Sequence, residues 1–291
     1  MCKNNNVKLI KPMYPCQNVP VVVFKNRCPK PCLYCDLYQR DFPREQVIAV
    51  SPDKVLNKLE GFKGAYFSAV SDCFLPSNRD LTHYLIENIW KIRKDFVPLI
   101  VTKQVIPKKT VTLFIKNKHR IVVQISIPSL NNKLISILEP GAASIKERLK
   151  IIKQFTGNGV PVIAVVMPWF DIYGKNETVE NLPKKLSKAG VLRCIIGTGI
   201  LPDLQRQKMI NSQNELILEA VEKMTDKKRV TTKIGYTLPL RKRILVFKKL
   251  IKAFNKYGIK AKICTADNPD LINKTNLPLC TKFKHPNFGV I

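Results

Sequence analysis

Apolar, β-prone runs alternate with amphipathic stretches along most of the chain. The apolar runs predict strands at residues 19–24, 65–70, 98–102, 121–127, 160–167 and 192–196. The stretches between them have helical periodicity and predict helices at residues 52–59, 79–94, 108–116, 144–156 and 178–189. Strand followed by helix, repeated six times, is typical of parallel strands joined by right-handed crossovers. The pattern therefore predicts the α/β class, with a partial (βα)6, TIM-like barrel over residues 19–200.

Local signals support these helix boundaries. Ser144 is followed three residues later by Glu147, which predicts a capping box at a helix start. Glycines at positions 157, 159 and 190 fall where helices should stop before the next strand.

The regions on either side of the barrel are predicted to be smaller. Residues 1–18 form an N-terminal segment, and residues 201–291 form a basic α/β extension. Within the extension the pattern predicts helices at 212–224 and 240–257, a strand at 260–264 and an irregular tail after residue 267.

The charge of the chain bears on its partners. Fifty Lys and Arg residues against 21 Asp and Glu residues give a net charge of +29, which would attract polyanions such as nucleic acid. The alternative is the Lys-rich composition that an AT-rich genome produces, and the sequence leaves both open. The start of the chain lacks an apolar signal segment, and the longest apolar stretch, 160–170, is too short to span a bilayer. We therefore expect a cytoplasmic protein with reduced thiols and no membrane contact.

Three cysteines carry the strongest chemical signal. Cys28, Cys32 and Cys35 have C-x3-C-x2-C spacing directly after the first predicted barrel strand. Thiolates at such short spacing hold iron–sulfur clusters, usually four of them, so three would leave one iron of a [4Fe–4S] cluster open. A structural zinc site would favour paired cysteines with a second pair or histidines downstream, and a group of buried cysteines is the other alternative.

This motif, with the aromatic Tyr34 just before the last cysteine, resembles the signature of the radical S-adenosylmethionine (radical SAM) superfamily. The resemblance implies a [4Fe–4S] cluster whose open iron binds SAM, and a low-potential electron donor such as a flavodoxin or ferredoxin. It also implies reductive cleavage of SAM to methionine and a 5′-deoxyadenosyl radical.

Ligands of parallel barrels bind at the carboxyl ends of the strands, which makes polar residues there candidates for SAM contacts. Ser71 and Asp72 follow the second barrel strand, Lys103 the third, and Ser126 ends the fourth. Lys103 could pair with the methionyl carboxylate. An ordinary loop or capping role remains the alternative for each of them.

Over residues 21–167 these motifs, together with Glu139-Pro-Gly-Ala and Glu147-Arg148-Leu149, resemble the spore photoproduct lyase branch. The resemblance implies that Glu139 and Arg148 couple a loop acid to a helix arginine near SAM. One departure matters: the lyase has a hydrogen-donating cysteine where this chain has Ala69. Cys73, one residue after Asp72, is the replacement candidate, and a buried apolar thiol is the alternative.

Two further features lie in the extension. Cys264 and Cys280, completed by Cys16 or Cys194, could hold an auxiliary cluster, or all could be buried thiols. On the predicted helix 240–257, one face is basic and the other apolar. We expect the basic face to bind nucleic acid, with an ordinary solvated face as the alternative; its residues are Arg241, Lys242, Lys248, Lys249, Lys252 and Lys256.

The sequence thus predicts a radical SAM enzyme, lyase-like or modifying, that acts on nucleic acid in DNA lesion repair or RNA base modification. A peptide- or protein-modifying maturase is the alternative enzyme. A non-enzymatic iron–sulfur protein that binds nucleic acid or senses redox state is the alternative outside enzymes.

Overall fold

The structure, a computed structural model, describes residues 7–12, 19–25, 28–35, 47–68, 71–170, 179–230, 233–272, 274–280, 284–285 and 289–290. Its strands are β1 (Val7–Ile10), β2 (Val21–Phe24), β3 (Val47–Val50), β4 (Gly64–Phe67), β5 (Val97–Thr102), β6 (Val122–Ser126), β7 (Val162–Val166), β8 (Arg193–Ile196), β9 (Asp226–Val230), β10 (Lys233–Thr237), β11 (Lys260–Cys264), β12 (Leu279–Cys280), β13 (Lys284–His285) and β14 (Gly289–Val290). Its α-helices are α1 (Pro52–Leu59), α2 (Arg79–Ile92), α3 (Lys108–Lys116), α4 (Asn132–Leu138), α5 (Ile145–Gly157), α6 (Asn181–Lys188), α7 (Asp203–Ile210), α8 (Glu215–Lys223) and α9 (Leu240–Lys256).

One large, mostly parallel sheet organises the fold. Within the described residues its order is β12-β11-β8-β7-β6-β5-β4-β2-β1-β3. Neighbours from β2 to β12 are parallel, while β1 runs antiparallel to both β2 and β3. The predicted α/β class with strand–helix crossovers is confirmed. Among the residues described, the strand order is linear, so this sheet does not close into a full barrel.

The two faces of this sheet differ. Alternate residues such as Phe67, Ile100, Val123 and Ala164 are completely buried in the main core, where the helices pack on the sheet. Strand alternation directs their neighbours to the opposite face. At the carboxyl ends of the strands, that opposite face bears the candidate site residues.

The hydrophobic pattern of the sequence does not predict elements that are short or strongly charged. Strands β1 and β3 have four residues each, and β9 (DKKRV) is too charged to show apolar alternation. The helix predicted at 212–224 is α8, whereas α4 and α7 are not predicted by the pattern. Residues 69 and 70, the end of one predicted strand, lie outside the described residues.

The extension is joined to the sheet. Strand β11 pairs with β8, and α9 buries Phe247, Leu250 and Phe254 against the core. The six cations predicted on the opposite helix face are all exposed, so the amphipathic pattern of α9 is confirmed. Lys256 on that face is paired with Glu180, with 2.7 Å between Nζ and Oε2. No helix among the described residues is long and apolar enough to cross a membrane.

Arg243 belongs to the basic stretch but lies inside the fold. Only 1% of it is exposed, and its guanidinium donates to Leu238 O at 2.9 Å, to Asn268 Oδ1 at 3.0 Å and to both carboxylate oxygens of Asp270. Lys228 Nζ also donates to Asp270 Oδ1, at 2.9 Å. These contacts fix the start of α9 to the segment that follows β11.

Asp270→Asn is expected to lower the free energy of unfolding by about 2–3 kcal/mol at neutral pH, because the buried Arg243 loses its countercharge. Burial raises the pKa of Asp270, but hydrogen bonds from Arg243 and Lys228 outweigh it and hold that pKa below its usual value. A lowered carboxyl pKa stabilises the fold above the unfolded pKa of about 3.8, and this contribution is lost as pH falls further. Urea unfolding of both proteins at pH 7 and below pH 4 should show the difference shrinking in acid. A difference independent of pH would contradict the ion pair.

Candidate active site at the cysteine loop

The three cysteines follow the carboxyl end of β2. Cys28, Cys32 and Cys35 are all half-buried and line one cleft. The loop is held by its own backbone, since Cys35 N donates to Cys32 O at 3.0 Å, and by α4, since Leu33 N donates to Leu138 O at 2.9 Å. The spacing therefore brings all three sulfurs to the same cavity, as the sequence predicts.

Thiol ionisation at this site depends on burial and on Lys103. Burial raises the pKa of Cys28, and it raises the pKa of Cys32 to about 12. The nearby charge of Lys103 acts in the opposite direction on both thiols. Three thiols that line one cleft supply the donor atoms of an iron–sulfur group, whose positive irons would keep the thiolates deprotonated. Within the described residues, no three side chains are placed close enough together to hold a metal ion.

A buried ion pair lies behind the loop. Arg148 Nη2 is 2.5 Å from Glu139 Oε2, and the two side chains are 1% and 0% exposed. Arg148 also donates to Ala143 O at 2.8 Å and to Ser126 O at 2.9 Å. The Tyr34 hydroxyl donates to the other oxygen of Glu139. The pair thus connects the cysteine loop to the ends of β6 and α4.

Lys103 reaches the same group from β5. Its Nζ lies 4.0 Å from Glu139 Oε1 and 5.6 Å from the centre of the Tyr34 ring. Burial lowers its pKa, but the charges of Cys32 and Glu139 outweigh this, and the net pKa is above the usual value. Lys103 is 28% exposed and lines the cleft, so its charge is available to an anion there.

Asp72 holds the cleft wall together. Its Oδ1 accepts from Phe74 N at 2.9 Å and Thr102 Oγ1 at 2.7 Å, and its Oδ2 accepts from Lys103 N at 2.7 Å. Burial raises its pKa, with these three donors opposing the change. Because both oxygens already accept hydrogen bonds, Asp72 chiefly positions the ends of β4 and β5.

Ser71 also lines this cleft. Its hydroxyl donates to Phe24 O at 3.2 Å, at the end of β2. Ser126 is buried and supplies a backbone carbonyl to Arg148. Ser71 lies beyond the end of β4 and Ser126 is the last residue of β6, and their contacts with SAM stay predictions.

Cys73 is not at the cleft. Its side chain is completely buried in the main hydrophobic core, and burial raises its pKa well above the usual value. This placement matches the alternative of an apolar thiol and does not favour hydrogen donation. Ala69, in the position of the lyase cysteine, lies outside the described residues.

The proposed auxiliary thiols are divided between faces. Cys264 and Cys280 are partners in the parallel register of β11 and β12. Cys194 pairs with Ala261, which lies three positions before Cys264 on β11 and therefore on the opposite face, and Cys194 is buried in the main core. Cys194 therefore faces away from Cys264, while Cys16 lies outside the described residues.

Three contacts at this site were missed from sequence. A Cβ added to Gly141 would lie 2.7 Å from Lys30 O, so only glycine lets the cysteine loop approach so closely. Gln104 Nε2 donates to Gly141 O at 2.6 Å, and Gln205 Nε2 donates to Cys35 O at 2.9 Å. The glycine of Glu-Pro-Gly-Ala was a visible signal, whereas Gln205, 170 residues from its partner, gave none.

Comparison with solved structures identifies the class of fold. A spore photoproduct lyase variant with bound AdoMet and dinucleoside spore photoproduct has a TM-score of 0.61 at 17% identity, covering 80% of this chain and 72% of that one. SuiB of Streptococcus suis, bound to S-adenosylmethionine, has a TM-score of 0.52 at 14% identity, covering 82% of this chain and 49% of that one. Both are radical SAM enzymes, and the chain has their fold. Its likeness to spore photoproduct lyase, predicted from sequence, is confirmed at the level of the fold.

Comparison of sequences is less informative than comparison of structures. No family model matches the chain. An uncharacterized protein of Acidianus two-tailed virus is 30% identical over 128 residues, which are 43% of this chain and 42% of that protein. The match therefore spans less than half the length of that relative.

Proposed function

We propose that the protein is a radical SAM enzyme in which Cys28, Cys32 and Cys35 hold a [4Fe–4S] cluster. The observation that carries this is the common cleft of the three half-buried thiols, at the carboxyl end of a parallel strand in the fold of radical SAM enzymes. Such a cluster supplies the electron that cleaves SAM to methionine and a 5′-deoxyadenosyl radical.

The residues around the thiols would bind and orient SAM. Lys103 places a cation at the cleft, suited to the methionyl carboxylate. Glu139 and Arg148 fix Tyr34 and Lys103, while the loop that follows β4, held by Asp72, forms the opposite wall. Burial of these groups limits water around a reactive radical.

We propose nucleic acid as the substrate, for DNA lesion repair or RNA base modification. Two facts support it: the net charge of +29, and the fold shared with a lyase whose structure contains a dinucleoside photoproduct. A low-potential electron donor such as a flavodoxin or ferredoxin would reduce the enzyme, which we place in the cytoplasm.

Anaerobic reconstitution with iron and sulfide tests the proposal directly. The reduced protein should convert SAM to 5′-deoxyadenosine and methionine, measured by liquid chromatography. With deuterated candidate nucleic acids, label should appear in 5′-deoxyadenosine. A fully loaded, reduced protein that leaves SAM intact would refute the proposed activity.

Lys103→Met is expected to weaken SAM binding about 10- to 100-fold, the value of one lost charge-assisted hydrogen bond. The change preserves the apolar stem and leaves Glu139 paired with Arg148, so the variant should lose some stability with the charge but remain folded under the assay conditions. Equilibrium dialysis with labelled SAM measures the affinity. Lys109→Met is a matched control, because Lys109 pairs with Asp80 on the exposed surface. Equal SAM affinity in wild type and Lys103→Met would contradict a carboxylate contact.

A further inference from the structure

The usual distribution of polar and apolar residues on a helix is reversed at one turn of α7. Leu204 is 50% exposed, whereas the next residue, Gln205, is only 7% exposed. Gln205 lies on the buried face of the helix together with Met209, which belongs to the main core. An amide at such a position costs free energy unless it is hydrogen-bonded. The burial of Gln205 therefore points to a contact that the fold requires.

That contact is with the cysteine loop. Gln205 Nε2 donates to Cys35 O at 2.9 Å, across 170 positions of the chain. Cys35 is the last of the three cysteines that line the cleft. Its own backbone N–H donates within the loop, to Cys32 O. Among the hydrogen bonds between described residues, the one from Gln205 is thus the contact that fixes the backbone of Cys35 to another element.

The remaining contacts of the loop lie earlier in the chain. Leu33 N donates to Leu138 O of α4, and Gly141 lies close against Lys30 O. Both hold the part of the loop that precedes the last cysteine. Without the amide of Gln205, the carbonyl of Cys35 would lose its donor, and the end of the loop could move away from the cleft.

Helix α7 is itself fixed by the C-terminal extension. Leu201, just before the helix, exchanges two backbone hydrogen bonds of 2.8 Å with Tyr236 of β10. The guanidinium of Arg206 lies over the Tyr236 ring, 5.0 Å from its centre. A Cβ added to Gly235 would lie 2.6 Å from Leu201 O, so the hairpin of β9 and β10 packs closely on the start of α7. This packing sets the position from which Gln205 reaches the cysteine loop.

We propose that Gln205 is a positioning residue of the cysteine site: its amide holds the backbone of Cys35 so that this thiol faces the cleft. The extension thereby contributes to the arrangement of the thiols, although all three lie within the first 35 residues. Partners of this kind orient metal ligands, and losing one typically weakens metal binding by about 10- to 100-fold. The effect on a cluster rests on the proposed function. The placement of Cys35 does not, because it concerns the metal-free protein.

Alkylation of the metal-free protein tests this placement one thiol at a time. Iodoacetamide is added to the reduced protein, and modification of Cys28, Cys32 and Cys35 is followed by peptide mass spectrometry. Gln205→Met keeps the length of the side chain and removes the donor, and Gln205→Glu keeps the shape but cannot donate when ionised. Gln207→Met is the matched control, because Gln207 is exposed on the same helix and donates to Asn211 Oδ1 at 2.9 Å.

We expect both Gln205 variants to be alkylated at Cys35 about tenfold faster than wild type, the effect of one lost hydrogen bond. The rate at Cys28 should change by less than about twofold, since the contacts of the earlier part of the loop remain. After anaerobic reconstitution, a chelator should remove iron from the Gln205 variants about 10- to 100-fold faster. Gln207→Met should match wild type in both measurements.

Three results would overturn the proposal: equal Cys35 rates in Gln205→Met and Gln207→Met, equal acceleration at all three thiols in a folded Gln205 variant, or wild-type behaviour of Gln205→Glu. Near-ultraviolet circular dichroism establishes that each variant is folded, and Gln205→Asn, whose amide is too short for the contact, replaces one that is not. Wild-type protein that takes up no iron would reject the proposed cluster, while the alkylation rates would still decide the role of Gln205.

Discussion

Cys32→Ala is expected to abolish both cluster binding and reductive SAM cleavage. Cys32 is the central thiol of the loop, lines the cleft, and is the thiol whose charge acts most strongly on Lys103. Removing it leaves Cys28 and Cys35, and two thiolates cannot retain a cluster that normally takes three or four protein ligands. Iron and sulfide content after anaerobic reconstitution should fall to background, and so should 5′-deoxyadenosine formation.

A matched control separates ligand loss from general damage. Cys194→Ala removes a thiol from the opposite, helix-covered face of β8, where Cys194 is 2% exposed. That variant should lose about 1 kcal/mol of stability through the small cavity but should bind iron and cleave SAM like wild type. Cluster retention and SAM cleavage in Cys32→Ala would refute the ligand assignment. Loss of iron in both variants would show that reconstitution responds to stability and not to ligation.

The elements predicted well are those formed by long stretches in which apolar residues recur with a regular period. Strands β5 to β8 and helices α2, α3 and α5 lie within a few residues of their predicted bounds, and the capping box at Ser144 is present. The cysteine cleft was predictable for a similar reason, because a short loop after a parallel strand can present three nearby thiols only to one cavity.

The features that could not be predicted from the sequence depend on contacts between residues that are far apart in the chain. Arg243 and Lys248 look alike in a basic stretch, yet the first is buried against Asp270 and the second is exposed. Burial of Cys73 likewise follows from how α2 packs on the sheet, which local alternation does not encode.

Arg148→Met is expected to lower the free energy of unfolding by about 3–5 kcal/mol, the usual cost of removing one partner from a buried ion pair. Methionine fills much of the volume, so the loss is electrostatic and not a cavity effect. The carboxylate of Glu139 would stay buried with Lys103 Nζ 4.0 Å away as its nearest cation. The carbonyls of Ala143 and Ser126 would lose their guanidinium donors.

Urea denaturation of four proteins apportions this cost: wild type, Glu139→Gln, Arg148→Met and the double variant. The double variant should be more stable than the sum of the single effects predicts, because the neutral amide that replaces the Glu139 carboxylate no longer needs a countercharge. Glu147→Gln is the control on the same helix, exposed and engaged in the capping box, and should cost less than about 1 kcal/mol, because glutamine can keep the capping box and only the charge at the helix N-terminus is lost. Strict additivity of the two single changes, or a cost below about 1 kcal/mol for Arg148→Met, would show that the pair does not hold the cysteine loop in place. The same variants should affect SAM binding in the order of their stability loss, since Glu139 contacts both Tyr34 of the cysteine loop and Lys103, which lines the cleft.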